Sequence, residues 1–158
     1  MHSRTRHERQ RLFTGDSDQV TVTGGGVDSG TVTLETVHEE QIVVFAPGVN
    51  NAAGDGKYYL HASKAMDGKD LTHVHAEVVA AGTTGVLTIQ VNNVTQAQDM
   101  LSTEVTVDTG ETGSDTAATP HVVDTGADDV AENDVLRIDV DTVHTTPATG
   151  LIVTLQFK

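Results

Sequence analysis

The chain contains no cysteine and no tryptophan, and its aromatic residues are three Phe and two Tyr among 158 residues. Without cysteine, neither disulfide bonds nor a thiolate zinc site can hold the fold together. So few rings leave little surface for stacking sugars and few of the side chains that dominate protein interfaces. No run approaches the ~20 apolar residues that a membrane-spanning helix needs. We therefore expect no membrane insertion and a stability that comes from ordinary aliphatic burial.

Positive charge is also scarce, since nine Lys and Arg face 23 Asp and Glu, and the net charge is −14. An excess of carboxylates repels phosphate, so we expect no nucleic acid partner. An acidic, Lys-poor chain rich in Thr and Ala is also typical of proteins from salt-loving organisms. At about 1 M salt the Debye length is about 3 Å, which screens such self-repulsion. We therefore expect a halophilic source.

Four of the five arginines lie in the first eleven residues, and residues 1–17 are interpreted as a basic N-terminal arm. Guanidinium groups form bidentate contacts with carboxylates, so the arm predicts docking to an acidic partner surface. The alternative is an unstructured terminus whose charge only aids solubility. No apolar core follows the arginines, so we do not expect a secretory signal. The candidate docking residues are Arg4, Arg6, Arg9, Arg11 and Phe13.

Residues 18–40 are predicted to form a β-hairpin that acts as an anchor segment. Apolar and polar residues alternate in 19–23 and 31–37, and the glycine-rich residues 24–30 connect them. An isolated hairpin is marginal in water, so it must pack on the main body or on a partner. The triple glycine is not followed by the Lys and Ser or Thr of a phosphate-binding loop.

In residues 41–158, apolar and polar residues alternate with a period of two. No segment of helical length shows helical periodicity, and residues 93–101 are predicted to form a single helical turn. With the hairpin, the pattern gives about ten strands, the density expected of a sandwich or jelly roll. The fold class is therefore predicted as all-β, a jelly-roll-like antiparallel β-sandwich with an N-terminal arm and β-hairpin. The predicted strands of the body are 41–46, 57–62, 71–80, 86–91, 103–108, 121–123, 134–143 and 150–157.

Two strands have clearly separable faces, because side chains alternate across a strand. The predicted inward-facing residues are Leu87, Ile89, Val91, Leu136, Ile138, Val140 and Thr142. The alternate positions are expected to face solvent, and they include Thr88, Gln90, Arg137, Asp139 and Asp141.

The sequence His73-Val74-His75-Ala76-Glu77 places two imidazoles on one face of a strand, as in a cupin metal site. The cupin spacing is not met, because four residues rather than five separate Gly68 from His73. Glu77 follows His75 after one residue, and a second cupin motif is absent. We therefore interpret these side chains as solvent-facing and expect no metal ligand among them.

The acidic residues are interpreted in the same way. Calcium needs six to eight converging oxygens, and no EF-hand pattern accompanies Asp124, Asp128 and Asp129. No G-x-S-x-G nucleophile motif occurs, and a carboxylate pair without aromatic residues does not favour a glycosidase. We therefore expect no enzyme, no catalytic residue and no cofactor.

Five segments carry motifs that follow one another in a defined order: 99–103, Gly110-Glu111-Thr112, Ala117-Ala118-Thr119-Pro120, 134–141 and 150–157. Their order and spacing resemble a small jelly-roll domain of tailed-virus structural proteins, of the head-decoration, head-fibre or tail-fibre type. The resemblance covers residues 71–157, about half of the chain. It implies a non-enzymatic, self-associating virion component that projects from a head or tail.

The expected function is therefore that of a capsid decoration or head-fibre protein in the virion, anchored by its N-terminal segment. Its expected partners are further copies of itself, as a trimer, and other virion proteins. An alternative is a receptor-binding module that recognises a host-surface glycan. A metal-dependent small-barrel enzyme is a weaker third alternative.

Overall fold

The computed structural model describes residues 36–158, which belong to one compact unit. The arm, the strand predicted at 19–23 and all five candidate docking residues lie outside the described residues. Thr36 and Val37, the last residues of the second strand predicted for the hairpin, precede the first described strand. That strand begins at His38, so residues 38–40 belong to the sandwich rather than to a separate hairpin.

The described residues form eleven strands and two short 3₁₀ turns, at Lys64–Met66 and Ser114–Thr116. The strands are β1 (His38–Asn50), β2 (Gly54–His61), β3 (Lys69–Glu77), β4 (Leu87–Asn93), β5 (Gln98–Asp99), β6 (Leu101–Thr103), β7 (Val105–Val107), β8 (Val122–Val123), β9 (Asp129–Val130), β10 (Val135–Thr142) and β11 (Thr149–Phe157).

The strands form two main antiparallel sheets with jelly-roll connectivity. The first sheet has the order β1-β11-β3-β9, and the second has β2-β10-β4-β5, with β7 also paired to β4. The pairs β1·β11, β2·β10, β3·β9 and β4·β7 are nested, so that early strands pair with late ones. This is the pattern of a long hairpin rolled into two facing sheets. The predicted jelly-roll-like antiparallel sandwich is therefore confirmed.

The core lies between the two sheets and follows the predicted alternation. Leu87, Ile89 and Val91 of β4 are fully buried, and the buried residues of β11 belong to the same aliphatic cluster. Leu136, Ile138 and Val140 of β10 are also fully buried, as predicted.

Thr142, predicted to face inward, is exposed instead. The pairing of β10 with β4 shifts register between Val140 and Thr142, and such a bulge turns the following side chain to the other face. Thr142 consequently lies beside Thr88, with 3.0 Å between the two hydroxyl oxygens.

Three further details of the predicted secondary structure were wrong. β1 does not end before Pro47 but continues to Asn50, because a proline is tolerated in an edge strand whose N–H would point away from the sheet. The single helical turn predicted at 93–101 is a tight turn at 94–97, with Ala97 at a φ of 55°. The two-residue strands β5 and β9 were missed, since they are too short to show an alternation.

Candidate functional site

Exposed aliphatic residues lie together on the outer face of the first sheet. Val43 on β1 is 54% exposed and is the cross-strand neighbour of Ile152 on β11. Val79, also 54% exposed, lines a shallow depression of about 300 Å³ together with Ile152. A side chain on Gly150 would lie 2.7 Å from Val79 and 3.4 Å from Pro47, so these residues are in close proximity. We call Val43, Pro47, Val79 and Ile152 the valine surface.

The outer edge of β1 borders the valine surface. Within the described residues β1 pairs only with β11, and no other described strand pairs with its second edge. β1 contains Pro47, its pairing with β11 is irregular beyond Val43, and Glu39 and Glu40 place charge near its beginning. Natural proteins use these features to prevent uncontrolled strand addition. The face of this sheet is therefore better suited to a specific contact than its edge.

The outer face of the second sheet carries an Arg–Asp pair that sequence reasoning placed in solvent. Arg137 does lie at the surface, but Asp139 is only 4% exposed, so its predicted exposure was wrong. Arg137 covers the carboxylate, donating from Nε at 3.0 Å and from Nη2 at 2.6 Å to Oδ2. The N–H of Gly56 donates to Asp139 Oδ1 at 2.6 Å. The hydrogen bond to Asp139 raises the pKa of Arg137.

Gln90 is a second residue whose predicted exposure was wrong, since it is 8% exposed. Leu101, the first residue of β6, lies next to the Gln90 side chain. Gln90 Nε2 donates to the carbonyl of Leu101 at 3.0 Å, and its Oε1 accepts from the N–H of Leu101 at 3.2 Å. The Gln90 amide therefore connects β4 to β6 by hydrogen bonds, although the two strands form no β-ladder. Periodicity in the sequence does not reveal such a contact.

Further carboxylates crowd this face. Partial burial raises the pKa of Asp141 to about 6, supported by a hydrogen bond to Glu104 and by the negative charges of Glu104 and Asp139. Such a pair holds one proton between two carboxyl groups. The face is acidic, and Arg137 lies 3.6 Å from Asp55 as well as next to Asp139.

A histidine cluster lies on the outer face of β3. His73 and Glu77 are exposed and His75 is half-buried, whereas Val74 and Ala76 between them are buried, in agreement with the predicted faces. His121, which the sequence analysis did not connect with them, places its ring centroid 4.8 Å from that of His73. His75 Nδ1 lies 3.1 Å from Asp115 Oδ1 and 3.1 Å from Ser114 Oγ.

Within residues 36–158, no three His, Asp or Glu side chains are arranged to hold a metal ion. His121 Nε2 instead accepts the backbone N–H of Val74 at 3.3 Å. No sequence signal links His121 to β3, because the loop between β7 and β8 brings it there.

Comparison of the chain with known protein families, curated protein sequences and solved structures found no match. Among the described residues, no helix has the length and apolarity to cross a membrane. The docking role of Arg4, Arg6, Arg9, Arg11 and Phe13 stays a prediction, because these residues lie outside the described part of the chain.

Proposed function

We propose that this chain is a non-enzymatic structural protein of a tailed virus, which decorates the capsid or forms part of a head fibre. The resemblance of residues 71–157 to virion jelly-roll domains supports this proposal, and the jelly-roll strand order is the fold that the resemblance implies. The N-terminal segment would anchor the protein to other virion proteins, leaving the sandwich projecting from the particle.

The observation that carries the proposal is the valine surface. A sheet face that is open to water normally carries polar side chains, and exposed apolar groups in close proximity mark interaction sites. Val43 and Val79 are each 54% exposed on that face. We assign the valine surface to contact between copies of this chain, as a trimer.

The oligomeric state tests this assignment. Light scattering in high salt should give a trimer for the wild type and a monomer for the double variant Val43→Asp, Val79→Asp, because burying two carboxylates in an apolar contact is unfavourable. Val122→Asp is the matched control, since Val122 on β8 is 51% exposed and lies outside the valine surface. A wild type that stays monomeric at high concentration, or a double variant that stays trimeric, contradicts the assignment.

One observation favours the second candidate, a receptor-binding module for a host-surface glycan. Tyr59 on β2 is 57% exposed and is the cross-strand neighbour of Arg137. An exposed ring beside a guanidinium and carboxylates offers both the stacking and the hydrogen bonds that sugars require.

Glycan-array binding distinguishes the two candidates. The receptor-binding candidate predicts binding by the wild type, its loss in Tyr59→Ala and its retention in Tyr58→Ala, a neighbouring and 40% exposed control. Absence of glycan binding, together with binding to assembled heads, would favour decoration.

A further inference from the structure

The second edge of β3 is closed in an unusual way. One edge of β3 pairs with β11 along its length, whereas the other pairs with β9 only at Lys69 and Asp70. Beyond that point the edge is covered by residues 112–121, which we call the strap. Its hydrogen bonds run from the Val74 N–H to His121 Nε2 (3.3 Å), from the Ala76 N–H to Ser114 Oγ (3.0 Å) and from the Val78 N–H to the Thr112 carbonyl (2.8 Å).

The hydrogen bond to His121 depends on the protonation of the imidazole. Nε2 accepts a hydrogen bond only when it carries a lone pair, so the ring must be neutral with its proton on Nδ1. One added proton turns Nε2 into a donor that faces the Val74 donor. The hydrogen bond is then lost, and the two N–H groups repel each other.

The surroundings of His121 disfavour that proton as long as the strap is closed. Burial, and then the neighbouring His73 and His75, lower the pKa of His121 below its ordinary value of 6.5. Opening the strap would return the ring to water and away from His73. Protonation therefore favours the open arrangement.

Acidification has the opposite effect at the other end of the strap, near Ser114 and Asp115, where it strengthens the attachment to β3. Asp115 lies 3.1 Å from His75 Nδ1, so a proton on His75 strengthens an ion pair there. Carboxylates also surround the strap, and they attract protonated histidines. Glu77 lies on β3 opposite Gly113, Asp108 accepts the Ala118 N–H at 2.8 Å, and Glu111 accepts the Thr116 hydroxyl at 3.2 Å.

We propose that the strap is a proton-operated clasp. Acidification releases its His121 end from β3, while its Ser114–Asp115 end stays attached. Release uncovers the Val74 N–H on a strand edge, which becomes available for pairing with another strand. The inference does not depend on the proposed virion function, because it concerns contacts within the sandwich.

Nuclear magnetic resonance on the full chain in high salt, with a chelator present, tests the clasp directly. Long-range ¹H–¹⁵N correlations should show His121 Nε2 without a proton at pH 7.5. The exchange rate of the Val74 amide, divided by its intrinsic rate, should rise about tenfold per pH unit once the pH falls below about 6.5. The Val78 amide should change much less. A protonated Nε2 at pH 7.5, or constant Val74 protection down to pH 5.0, would overturn the proposal.

Three variants assign the effect to His121. His121→Gln retains a side-chain acceptor but cannot titrate, so Val74 protection should become independent of pH. His73→Gln removes one of the neighbouring imidazoles that lower the pKa of His121, so the transition should move to higher pH without being abolished. His61→Gln, on the exposed part of β2, is the control and should leave the transition unchanged. If His121→Gln folds and retains the wild-type pH dependence, the proposal is wrong, and if it does not fold, the wild-type Val74 measurement alone decides.

Discussion

At the residue scale, the buried carboxylate of Asp134 forms hydrogen bonds with β4, with the turn that follows β4 and with the segment that precedes β10. Asp134 is 4% exposed, and its Oδ2 accepts from Asn93 Nδ2 at 2.8 Å, from Gln96 Nε2 at 2.7 Å and from the Ala131 N–H at 3.0 Å. Burial by itself would raise the pKa of Asp134, but these hydrogen bonds outweigh it, so the pKa is lowered.

Asp134→Asn should lower the free energy of unfolding by about 2 kcal/mol, because an amide cannot satisfy three donors that a carboxylate satisfies. Urea unfolding at constant salt measures the change. Asp99→Asn is the control, since Asp99 is exposed and accepts a hydrogen bond from Asn92. Equal stability of the two variants would show that the Asp134 hydrogen bonds contribute little net stability.

The Asp141–Glu104 pair has the opposite effect on stability. The pKa of Asp141 is raised to about 6, so the folded state binds a proton that the unfolded chain releases near its ordinary value of 3.8. Stability from this pair is therefore present at low pH and lost as pH rises from about 4 to 6.

Glu104→Gln removes the like charge and should lower the pKa of Asp141. Its stability relative to the wild type should thus improve between pH 4 and pH 7, by less than about 1 kcal/mol because water screens this surface. Denaturant unfolding at both pH values measures this difference, with exposed Glu132→Gln as the control. A relative stability that does not change with pH contradicts the assigned coupling.

At the element scale, alternation predicted those faces of β4 and β10 that pack against the opposite sheet. It failed for Gln90, Asp139 and Thr142, each for a nonlocal reason: hydrogen bonds to β6, a covering guanidinium and a bulge. Only part of the histidine cluster could be predicted from the sequence. His73 and His75 share a strand face that periodicity identifies, whereas His121 reaches β3 through a loop whose path no local pattern encodes.

The loop before β4 contains a position, Gly82, at which a neighbouring side chain leaves no room for a Cβ atom. The buried ring of His144 lies directly on Gly82, where a Cβ atom would be only 2.3 Å from Nδ1. Gly82→Ala must therefore displace the ring or the loop, and it should lower the free energy of unfolding by about 1–3 kcal/mol. Gly126→Ala is the control, since its Cβ would lie 3.4 Å from the nearest atom, Asp124 Oδ1. Thermal unfolding of both variants gives the comparison, and an unchanged Gly82→Ala would show that the His144 loop yields freely.

At the scale of the whole molecule, the net charge of −14 governs the response to salt. Carboxylate crowding such as that around Asp141 costs free energy, which counterions reduce. The melting temperature should therefore rise from ~0.1 to ~2 M sodium chloride, over which the Debye length falls from about 10 Å to below about 3 Å. A melting temperature that stays constant over this range would contradict the halophilic interpretation.

The same charge distribution makes the N-terminal arm a distinct part of the chain, since four of five arginines precede residue 12 while the body is acidic. Under the proposed virion function, deletion of residues 1–11 should leave a folded protein that no longer joins the virus particle, because the guanidinium contacts to an acidic partner are lost. Co-expression with the other virion proteins, followed by imaging of purified particles, measures incorporation.

Replacing Arg4, Arg6, Arg9 and Arg11 by Gln should abolish incorporation, and replacing them by Lys should weaken it, because lysine keeps the charge without the bidentate geometry. Particles that carry the truncated protein at the wild-type level would exclude the arm as the anchor and direct attention to residues 18–40.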